Sequence, residues 1–324
     1  VLVQKCVRAD MPRNVVAIGK CAAALLRGVA QVHAVESAFV AVPEGYPVGP
    51  MGPIGLIRRI GGHPQYTRAS FEAGQALLDF VDQHDDILFL ISGGGSACVE
   101  VPLIDEGAAI QKNAELITSG KPIAEINAER RKISAIKGGK LAARVKGRAV
   151  TLVYSDVSTG ALHDVASGPT IPGSEAILVA DNSTLIRAAA QIIGDNAVVL
   201  EEQIECGVLD AAAMLAARAR ELREGEVLVA GGEPTVVVRG NGRGGRCSEL
   251  AVRFAALCPN AALFGSSDGV DGNSGAAGIY LPGGNQPAPH EESNSFPVAA
   301  QIGEPIMIAP TGNNLRDLFL VACV

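Results

Sequence analysis

Tryptophan is absent from this 324-residue chain, and aromatic residues make up only 4% of it. The core must therefore be built from Ala, Val, Leu and Ile, as buried parallel sheets usually are. Apolar residues make up 48% of the chain and charged residues 19%, a composition that excludes an intrinsically disordered protein. The length favours two domains, or one large domain.

Positive charge is also scarce, because 27 Lys and Arg stand against 34 Asp and Glu and the net charge is −7. Nucleic-acid binding needs a basic surface, so we expect no nucleic acid as a partner. No apolar run approaches the roughly 18 residues of a membrane span, and the amino terminus lacks a signal-peptide layout. We therefore expect a cytoplasmic protein without a membrane partner.

Zinc-site spacing is missing as well. The seven cysteines are scattered along the chain. None forms a C-x-x-C pair or lies near a histidine in the spacing of a zinc site. Reduced thiols in a cytoplasmic enzyme are therefore expected, with hyperthermophiles as the known exception.

What the chain does have is a repeated order of apolar strand, glycine turn and helix. This order predicts two α/β domains, an N-terminal Rossmann-like three-layer domain with a parallel sheet and a smaller C-terminal domain. A strand expected over 235–240, after a tight turn at 231–234, indicates that the second sheet is mixed. A strongly helical run ends at Gly225 and a new series of strands follows it, which indicates a domain boundary between about 200 and 225. We expect the two domains at 1–210 and 211–324.

The most informative stretch is an apolar run, Ile87 to Ile91, that stops at a glycine-rich loop. A short continuous apolar run is typical of a buried strand. Successive glycines let backbone amides approach a ligand, and amides that point one way bind phosphate or carboxylate. A glycine turn without any ligand is equally compatible with this stretch alone. The loop consists of Ser92, Gly93, Gly94, Gly95 and Ser96.

Two charged side chains follow predicted strands. Lys20 opens a helix, where its cation and the helix dipole would favour a phosphate, although a solvated lysine is the alternative. Asp156 follows the strand 149–155 and could hold Mg²⁺ or accept a proton from a hydroxyl. A helix N-cap is the alternative for Asp156.

Residues 127–140 carry a cluster of basic side chains that includes Arg130 and Lys137. In an acidic protein such a cluster could attract an anionic substrate or a nucleotide. A solvated helix face is the other interpretation of the same pattern.

A second glycine-rich loop spans 240–246 and precedes a predicted helix. It fits the G-x-G-x-x-G pattern of dinucleotide sites, with Asp268 at the distance of a ribose-binding acid. The arginines among its glycines, Arg243 and Arg246, favour phosphoryl oxygens instead. Asp271 adds a metal or ribose ligand in one interpretation and a turn cap in the other.

The order of the motifs carries a family resemblance. The sequence contains GK, SGGGSA, RRKISAIKGG, SDV, ASGPT, GGEPTV, GRGGR, SDGVDG and PTGNN in that order. It resembles the glycerate 2-kinases, a family with a glycerate-kinase N-terminal domain and a C-terminal domain named for its MOFRL motif. The resemblance runs from about Val15 to the carboxyl terminus.

The resemblance implies ATP-dependent phosphorylation of the 2-hydroxyl of D-glycerate, which gives 2-phosphoglycerate and ADP in a cleft between two α/β domains. ATP and Mg²⁺, or another divalent cation, would be the cofactors, and a homodimer is compatible with the sequence. Some members of the family have been labelled hydroxypyruvate reductases, so an NAD(P)-dependent reductase is the alternative. A non-catalytic protein that binds nucleotides or sugar acids is a third hypothesis.

The resemblance also implies residue roles. Lys20, Asp156 and Arg246 match the functional lysine, aspartate and arginine of the family. We expect Lys20 and Arg246 to stabilise transition-state charge, and Asp156 to orient the hydroxyl or hold Mg²⁺. The residues expected to bind glycerate or nucleotide are Ser92, Gly93, Gly94, Gly95, Ser96, Arg130, Lys137, Glu233, Gly242, Gly244, Gly245, Asp268, Asp271 and Asn314.

Some positions depart from the family pattern. Cys247 and Ser248 stand where the family has Asn and Gln, Lys132 stands where it has His, and Arg316 stands where it has Asn. Nucleotide contacts at Cys247 and Ser248 are therefore expected to differ.

Overall fold

The computed structural model describes residues 2–46, 48–50, 55–158, 160–284, 287 and 293–323. It divides into two compact units, residues 1–180 and residues 181–324. No described helix is both long enough and apolar enough to cross a membrane.

The first unit is built on six parallel strands. They are β1 Asn14–Ile18, β2 Ser37–Pro43, β3 Gly55–Gly61, β4 Ile87–Ser92, β5 Ala149–Tyr154 and β6 Glu175–Ala180. They lie in the order β3-β2-β1-β4-β5-β6, and each neighbouring pair is parallel. This architecture confirms the predicted Rossmann-like parallel sheet.

The helices of the first unit connect these strands. They are α1 Leu2–Cys6, α2 Ala22–Ala30, α3 Arg68–Gln83, α4 Gly95–Cys98, α5 Glu106–Thr118 and α6 Ile123–Lys132, with short 3-10 helices at Ala142–Arg144 and Leu162–Ser167. The apolar run in β4 is buried along its whole length, because the sheet is flanked by packed layers.

The order of strands reverses between β1 and β4. The chain runs outward from β1 to β3 and then crosses back to β4, and Ile18 at the end of β1 is in register with Ile91. Ligands of open α/β sheets bind beyond the carboxyl ends of the strands at such a reversal. The turn after β1 and the glycine-rich loop after β4 both leave the sheet at this point.

The second unit holds a mixed sheet. Its strands are β7 Ala197–Val199, β8 Val227–Gly232, β9 Ala261–Ser266, β10 Gly278–Leu281, β11 Glu304–Ile306 and β12 Asp317–Ala322. Its helices are α7 Asn182–Ile193, α8 Val208–Ala219, α9 Arg246–Ala255 and α10 Ser295–Ile302, with a 3-10 helix at Gly194–Asn196. The strand order is β11-β10-β9-β12-β8-β7.

The prediction that the second sheet is mixed is confirmed. The prediction that a strand over 235–240 makes it mixed is wrong. β7 and β8 are parallel, whereas β12 is antiparallel to both of its neighbours, β8 and β9, and β10 is antiparallel to both of its neighbours, β9 and β11. The strand expected over 235–240 is not formed there, and Val237 and Val238 are exposed. Both edges of β8 are already occupied, by β12 and β7, so no position beside β8 is left for such a strand.

The division between the units comes earlier than the predicted boundary between residues 210 and 211. α7 packs on β8, and β7 pairs with β8, so residues 182–199 belong to the second sheet. Asp181 caps α7, because its Oδ1 atom accepts a hydrogen bond from the amide of Thr184 at 2.9 Å. The start of this helix is therefore also the start of the second unit.

Candidate active site

Lys20 lies in the turn between β1 and α2. Gly19 before it has a φ of 112°, which favours glycine, and a Cβ there would overlap Ser92 and Gly93. The amide of Lys20 donates to the Gly93 carbonyl at 2.8 Å. The amide of Cys21 donates to the Ser92 hydroxyl at 3.0 Å. These contacts lock the turn after β1 to the glycine-rich loop after β4.

The side chain of Lys20 is directed along this loop. A Cβ added at Gly94 would lie 3.0 Å from the Cγ atom of Lys20 and 3.4 Å from its Cε atom. The side chain is partly exposed, and its ammonium makes no hydrogen bond or ion pair with any residue that the structure describes. A cation in this position is available to a ligand.

Asp156 lies on the other side of Gly93. It follows β5, the neighbour of β4, and a Cβ at Gly93 would overlap the carboxylate. The lack of a side chain at Gly93 therefore allows Asp156 to reach the loop. The structure brings together Lys20, Gly93 and Asp156, as the ends of neighbouring parallel strands predict.

The glycine-rich loop offers amides more than hydroxyls. Ser92 is buried, and its hydroxyl binds the turn after β1, while the Ser96 hydroxyl pairs with that of Ser167. Gly94 has a φ of 78° and precedes α4. Within the described part of the chain the amides of Gly94 and Gly95 donate to no other group. This arrangement suits an anion.

Arg130 and Lys137 are buried, so they do not form a solvated helix face. Arg130 is 7% exposed, and its Nε atom donates to Oδ1 of Asn113 at 3.0 Å. Its terminal nitrogens bind no group within the described residues. Lys137 is 1% exposed and pairs with the equally buried Glu100. Burial lowers the pKa of Lys137, and Glu100 opposes this shift.

Sequence analysis missed His63, which follows β3 at the same edge of the sheet. A Cβ at Gly94 would lie 3.5 Å from the Cε1 atom of His63. Desolvation, together with the cations of Lys20 and Arg130, lowers the pKa of His63 to about 4. The imidazole is therefore uncharged at neutral pH. Recognising β3 as a strand would have placed His63 at the carboxyl edge with the other candidates.

Arg246 opens α9 in the second unit and is held by two carboxylates. Its Nε and Nη2 atoms donate to Asp317 at 3.0 and 3.2 Å, and Nη1 donates to Glu233 at 2.5 Å. Asp317 is 0% exposed, and burial raises its pKa to about 6, although Arg246 opposes this rise. The two acids raise the pKa of Arg246 above its usual range, against the effect of desolvation.

Glu233 is shared between Arg246 and Arg316. The Nε atom of Arg316 donates to Glu233 at 3.2 Å, and its Nη1 atom donates to Gln203 at 2.5 Å and to Glu205 at 2.6 Å. Arg316 therefore fills with a cation the position where the family has Asn. The result is a continuous network of two arginines and three carboxylates, completed by Asp317.

The second glycine-rich loop is packed against its own unit. A Cβ at Gly242 would overlap the Ser293 carbonyl, one at Gly244 would approach the Ser295 hydroxyl, and one at Gly245 would overlap Asp271. These contacts require glycine at the three positions without any ligand. Gly242, Gly244 and Gly245 are thus explained by close packing.

Asp271 occupies the N-terminus of α9. Its carboxylate accepts from the amides of Cys247 at 2.8 Å and Ser248 at 2.9 Å. These are the amides that a phosphate would use in a dinucleotide fold. Asp271 is 2% exposed, so it acts as a cap, which is one of the two interpretations that the sequence allowed.

Asp268 and Asn314 lie in two turns of the second unit. Oδ1 of Asp268 accepts from the Ser266 hydroxyl and from the Val270 amide, both at 2.9 Å. Oδ1 of Asn314 accepts from the amide of Arg316 at 3.2 Å. The amide of Thr311 also donates to the Asp268 carbonyl at 2.9 Å, so the turns that follow β9 and β11 are neighbours.

A divalent cation would find few protein ligands here. Among the described residues no group of three His, Cys, Asp or Glu side chains is placed to hold a metal ion. Mg²⁺ usually keeps several waters and binds few carboxylates besides the phosphates of its nucleotide. One carboxylate beside the glycine-rich loop, that of Asp156, fits that mode of binding.

Comparison with known proteins agrees with this architecture. The chain is 29% identical to the D-glycerate 2-kinase of Thermotoga maritima, over 94% of this chain and 89% of that protein. A crystal structure of glycerate kinase from the same organism superposes with a TM-score of 0.85 at 27% identity, covering 99% of this chain and 93% of the other. A relative from Agrobacterium vitis, 28% identical over 95% of this chain and 87% of its own, carries a provisional hydroxypyruvate reductase name.

Two family profiles match the chain in succession. The family described as a domain of unknown function, DUF4147, matches residues 5–193, which is more than half of the chain. The MOFRL family matches residues 226–317. The chain therefore belongs to the DUF4147 family, with a MOFRL domain after the DUF4147 domain.

Proposed function

We propose that this chain is an ATP-dependent kinase that phosphorylates the 2-hydroxyl of D-glycerate, giving 2-phosphoglycerate and ADP. The observation that carries the proposal is the ammonium of Lys20, which has no described partner and lies beside unpaired loop amides with Asp156 across Gly93. The names and the coverage of the relatives support the same activity.

Phosphoryl transfer needs positioning and charge neutralisation more than covalent chemistry from the protein. Lys20 would neutralise charge that develops on the transferred phosphoryl group. Asp156 would accept a hydrogen bond from the attacking hydroxyl or hold Mg²⁺, which when bound would shield the nucleotide phosphates. Asp156→Asn should lower kcat and change the Mg²⁺ dependence; an unchanged dependence would remove the metal-binding role.

Arg246 is proposed as a second cation for the phosphoryl group. Three of its N–H groups bind Asp317 and Glu233, and a guanidinium has further N–H donors. The side chain is 35% exposed. The carboxylates would hold the guanidinium in one orientation, so that little reorganisation is needed when the ligand binds.

Arg130 is proposed to bind the carboxylate of the hydroxy acid, because its terminal nitrogens have no described partner. Lys137 would act indirectly, since Glu100 already neutralises it. The amides of Gly93, Gly94 and Gly95 would hold an anion, while Ser92 and Ser96 keep the loop in shape. The proposed nucleotide contacts in the second unit remain Glu233, Asp268 and Asn314. The second loop would take its shape from Gly242, Gly244, Gly245 and Asp271.

A hydroxypyruvate reductase is the alternative, because some relatives carry that name. The G-x-G-x-x-G loop would be its dinucleotide site. However, Asp271 already accepts from the amides at the start of α9, so the anion position of a dinucleotide fold is taken by a carboxylate. We therefore favour the kinase.

Phosphorus NMR of a reaction with ATP, Mg²⁺ and D-glycerate tests the proposal. We expect the resonance of 2-phosphoglycerate, which is distinct from that of 3-phosphoglycerate, and none with the Lys20→Ala variant. If NADH or NADPH is oxidised with hydroxypyruvate and no ADP is released with D-glycerate, the reductase is correct. ATP binding without turnover would instead indicate a non-catalytic binding protein.

A cytoplasmic location and self-association are further parts of the proposal. None of the seven cysteines, all of which lie in the described residues, forms a disulfide, which suits a reducing compartment. Light scattering on the purified protein would distinguish a monomer from the homodimer that the sequence allows.

A further inference from the structure

We propose that His63 binds ligand directly, by donating its ring N–H to an oxyanion held between Lys20 and Arg130. The inference rests on the proposed function, because it concerns the same site. The oxyanion belongs either to the carboxylate of the hydroxy acid or to a phosphate of the nucleotide. The two sources share their chemistry and are separated by the experiment below.

The position of His63 in the fold is the first support. It follows β3, so it lies at the carboxyl edge of the sheet, as do Lys20 and Gly94. The open side of Gly94 faces both residues, with Cγ of Lys20 and Cε1 of His63 within 3.5 Å of an added Cβ. His63 as a residue is exposed, so a small molecule can reach it.

Asn113 couples the His63 segment to Arg130. The amide of this fully buried side chain donates to the Pro64 carbonyl at 3.3 Å and to Gln65 at 3.4 Å, and its oxygen accepts from Arg130 at 3.0 Å. One side chain therefore orients both the arginine and the segment that carries the histidine. Such support from a buried amide is what a binding site with fixed geometry needs.

Ser70 fixes the same segment from the start of α3. Its hydroxyl accepts from the amides of Gly62 at 3.0 Å and Thr67 at 3.1 Å, so the segment is held at both ends. The backbone around His63 is therefore held in place. The ring of His63 is available to a ligand, because no described residue forms a hydrogen bond with it.

The charges around His63 favour an anion. Lys20 and Arg130 are the cations that act on the ring. The nearby carboxylate of Glu100 is already paired with Lys137. Two cations and an uncharged N–H donor at one place make a site that an oxyanion would complete.

Calorimetric binding to D-glycerate, ADP and inorganic phosphate, each without turnover, tests the inference. His63→Ala should weaken binding of one of these ligands by about 10-fold, the loss of one hydrogen bond to a charged group. His63→Asn, which keeps a donor, should recover part of that loss. His33→Ala is the control, because His33 lies between α2 and β2, at the opposite edge of the sheet.

NMR of the wild-type protein, labelled with ¹³C at histidine Cε1, avoids dependence on the folding of a variant. The His63 resonance should move when ligand is added, while that of His33 should not. A response to D-glycerate alone identifies the substrate carboxylate, and a response to ADP and phosphate identifies the nucleotide. Unchanged affinities together with an unmoved His63 resonance would overturn the inference.

Failure of the kinase proposal would look different. If the wild-type protein forms no 2-phosphoglycerate but His63→Ala still weakens anion binding, the His63 inference stands and the activity is wrong. If the protein is an active kinase and His63→Ala binds every ligand normally, the activity stands and the inference is wrong.

Discussion

The cations proposed to bind ligand directly in the first unit differ in their pairing from the arginines of the network in the second unit. In the first unit Lys20 has no described partner, and Arg130 gives a single hydrogen bond to Asn113. In the second unit Arg246 and Arg316 bind carboxylates through several nitrogens each. Lys20 and Arg130 leave donors unused, so they are the cations proposed to bind a ligand directly, whereas the paired network of Arg246 and Arg316 also supports the fold.

The two glycine-rich loops differ in the same sense. The amides of Gly94 and Gly95 are unpaired in the described chain, so the first loop can receive an anion. The second loop meets a carboxylate of its own unit, Asp271, at the start of α9. Similar glycine patterns thus leave amides available for the proposed ligand in one unit and meet internal packing in the other.

Arg246→Ala should have the largest effect on stability. It leaves Asp317 buried without its cation, so the free energy of unfolding should fall by about 3–5 kcal/mol. Urea denaturation would measure this change. Arg187→Ala is the control, because Arg187 is 67% exposed and its ion pair with Glu201 is long, at 3.6 Å. A loss below about 1 kcal/mol would show that the network contributes little to the fold.

Lys20→Ala should leave stability nearly unchanged and greatly lower kcat. Its ammonium supports no described contact, so the free energy of unfolding should stay within about 0.5 kcal/mol of the wild type. The kcat should fall by about 100- to 1,000-fold, which corresponds to the loss of one donor to transition-state charge. Lys112→Ala, at an exposed surface pair, is the control. If Lys20→Ala is strongly destabilised and keeps a normal kcat, Lys20 supports the fold as Arg246 does, and the contrast between the two cations is wrong.

Arg130→Lys should weaken the binding of D-glycerate. Lysine keeps the charge but loses the planar fork, so KM for D-glycerate should rise about 10-fold with a smaller change in kcat. The lost hydrogen bond to Asn113 should cost about 1 kcal/mol of stability. Steady-state kinetics and urea denaturation measure the two effects. A changed KM for ATP alone would reassign Arg130 to the nucleotide.

The smallest expected effect is a pH dependence at His63. Its pKa is about 4 in the folded chain and ordinarily 6.5, so between these values the unfolded chain binds a proton that the folded chain does not. The contribution of His63 to the free energy of unfolding is therefore fully present above about pH 6.5, and it is lost as the pH falls towards 4. The effect should be below about 1 kcal/mol, because His63 is an exposed residue and solvent screens its interactions.

The His63→Asn variant measures this pH effect by difference. The wild-type protein should lose stability relative to the variant on acidification, because Asn does not titrate. Parallel stability curves across that pH range would mean that Lys20 and Arg130 do not act on the ring.

The fold was predictable where patterns are local. The buried runs of β1, β4 and β5, the glycine turns after them and the cap at Asp181 are all legible in consecutive residues. The strand expected over 235–240 failed because the neighbours of β8 come from distant parts of the chain. The division at residue 181 could not be seen for the same reason, since β7 joins its sheet by pairing with β8, which is distant in sequence.

The candidate site shows the same limit. Lys20, the glycine-rich loop and Asp156 could be grouped in advance, because parallel strands bring their carboxyl ends to one edge. His63 was missed, because β3 is largely exposed and lacks a buried run. Asp271 caps α9 through the amide of Cys247, which is 24 positions away in the sequence. Arg246 pairs with Asp317, which is 71 positions away. No local sequence pattern predicts either contact.

The sequence by itself determined the two α/β units and the family, and it located the glycine-rich loop that is proposed to bind an anion. The tertiary structure decided which charges are paired and which are left for a ligand. The physical reason is that a motif specifies backbone shape over a few residues, whereas the charge available at a site depends on which distant carboxylates the fold brings to each cation.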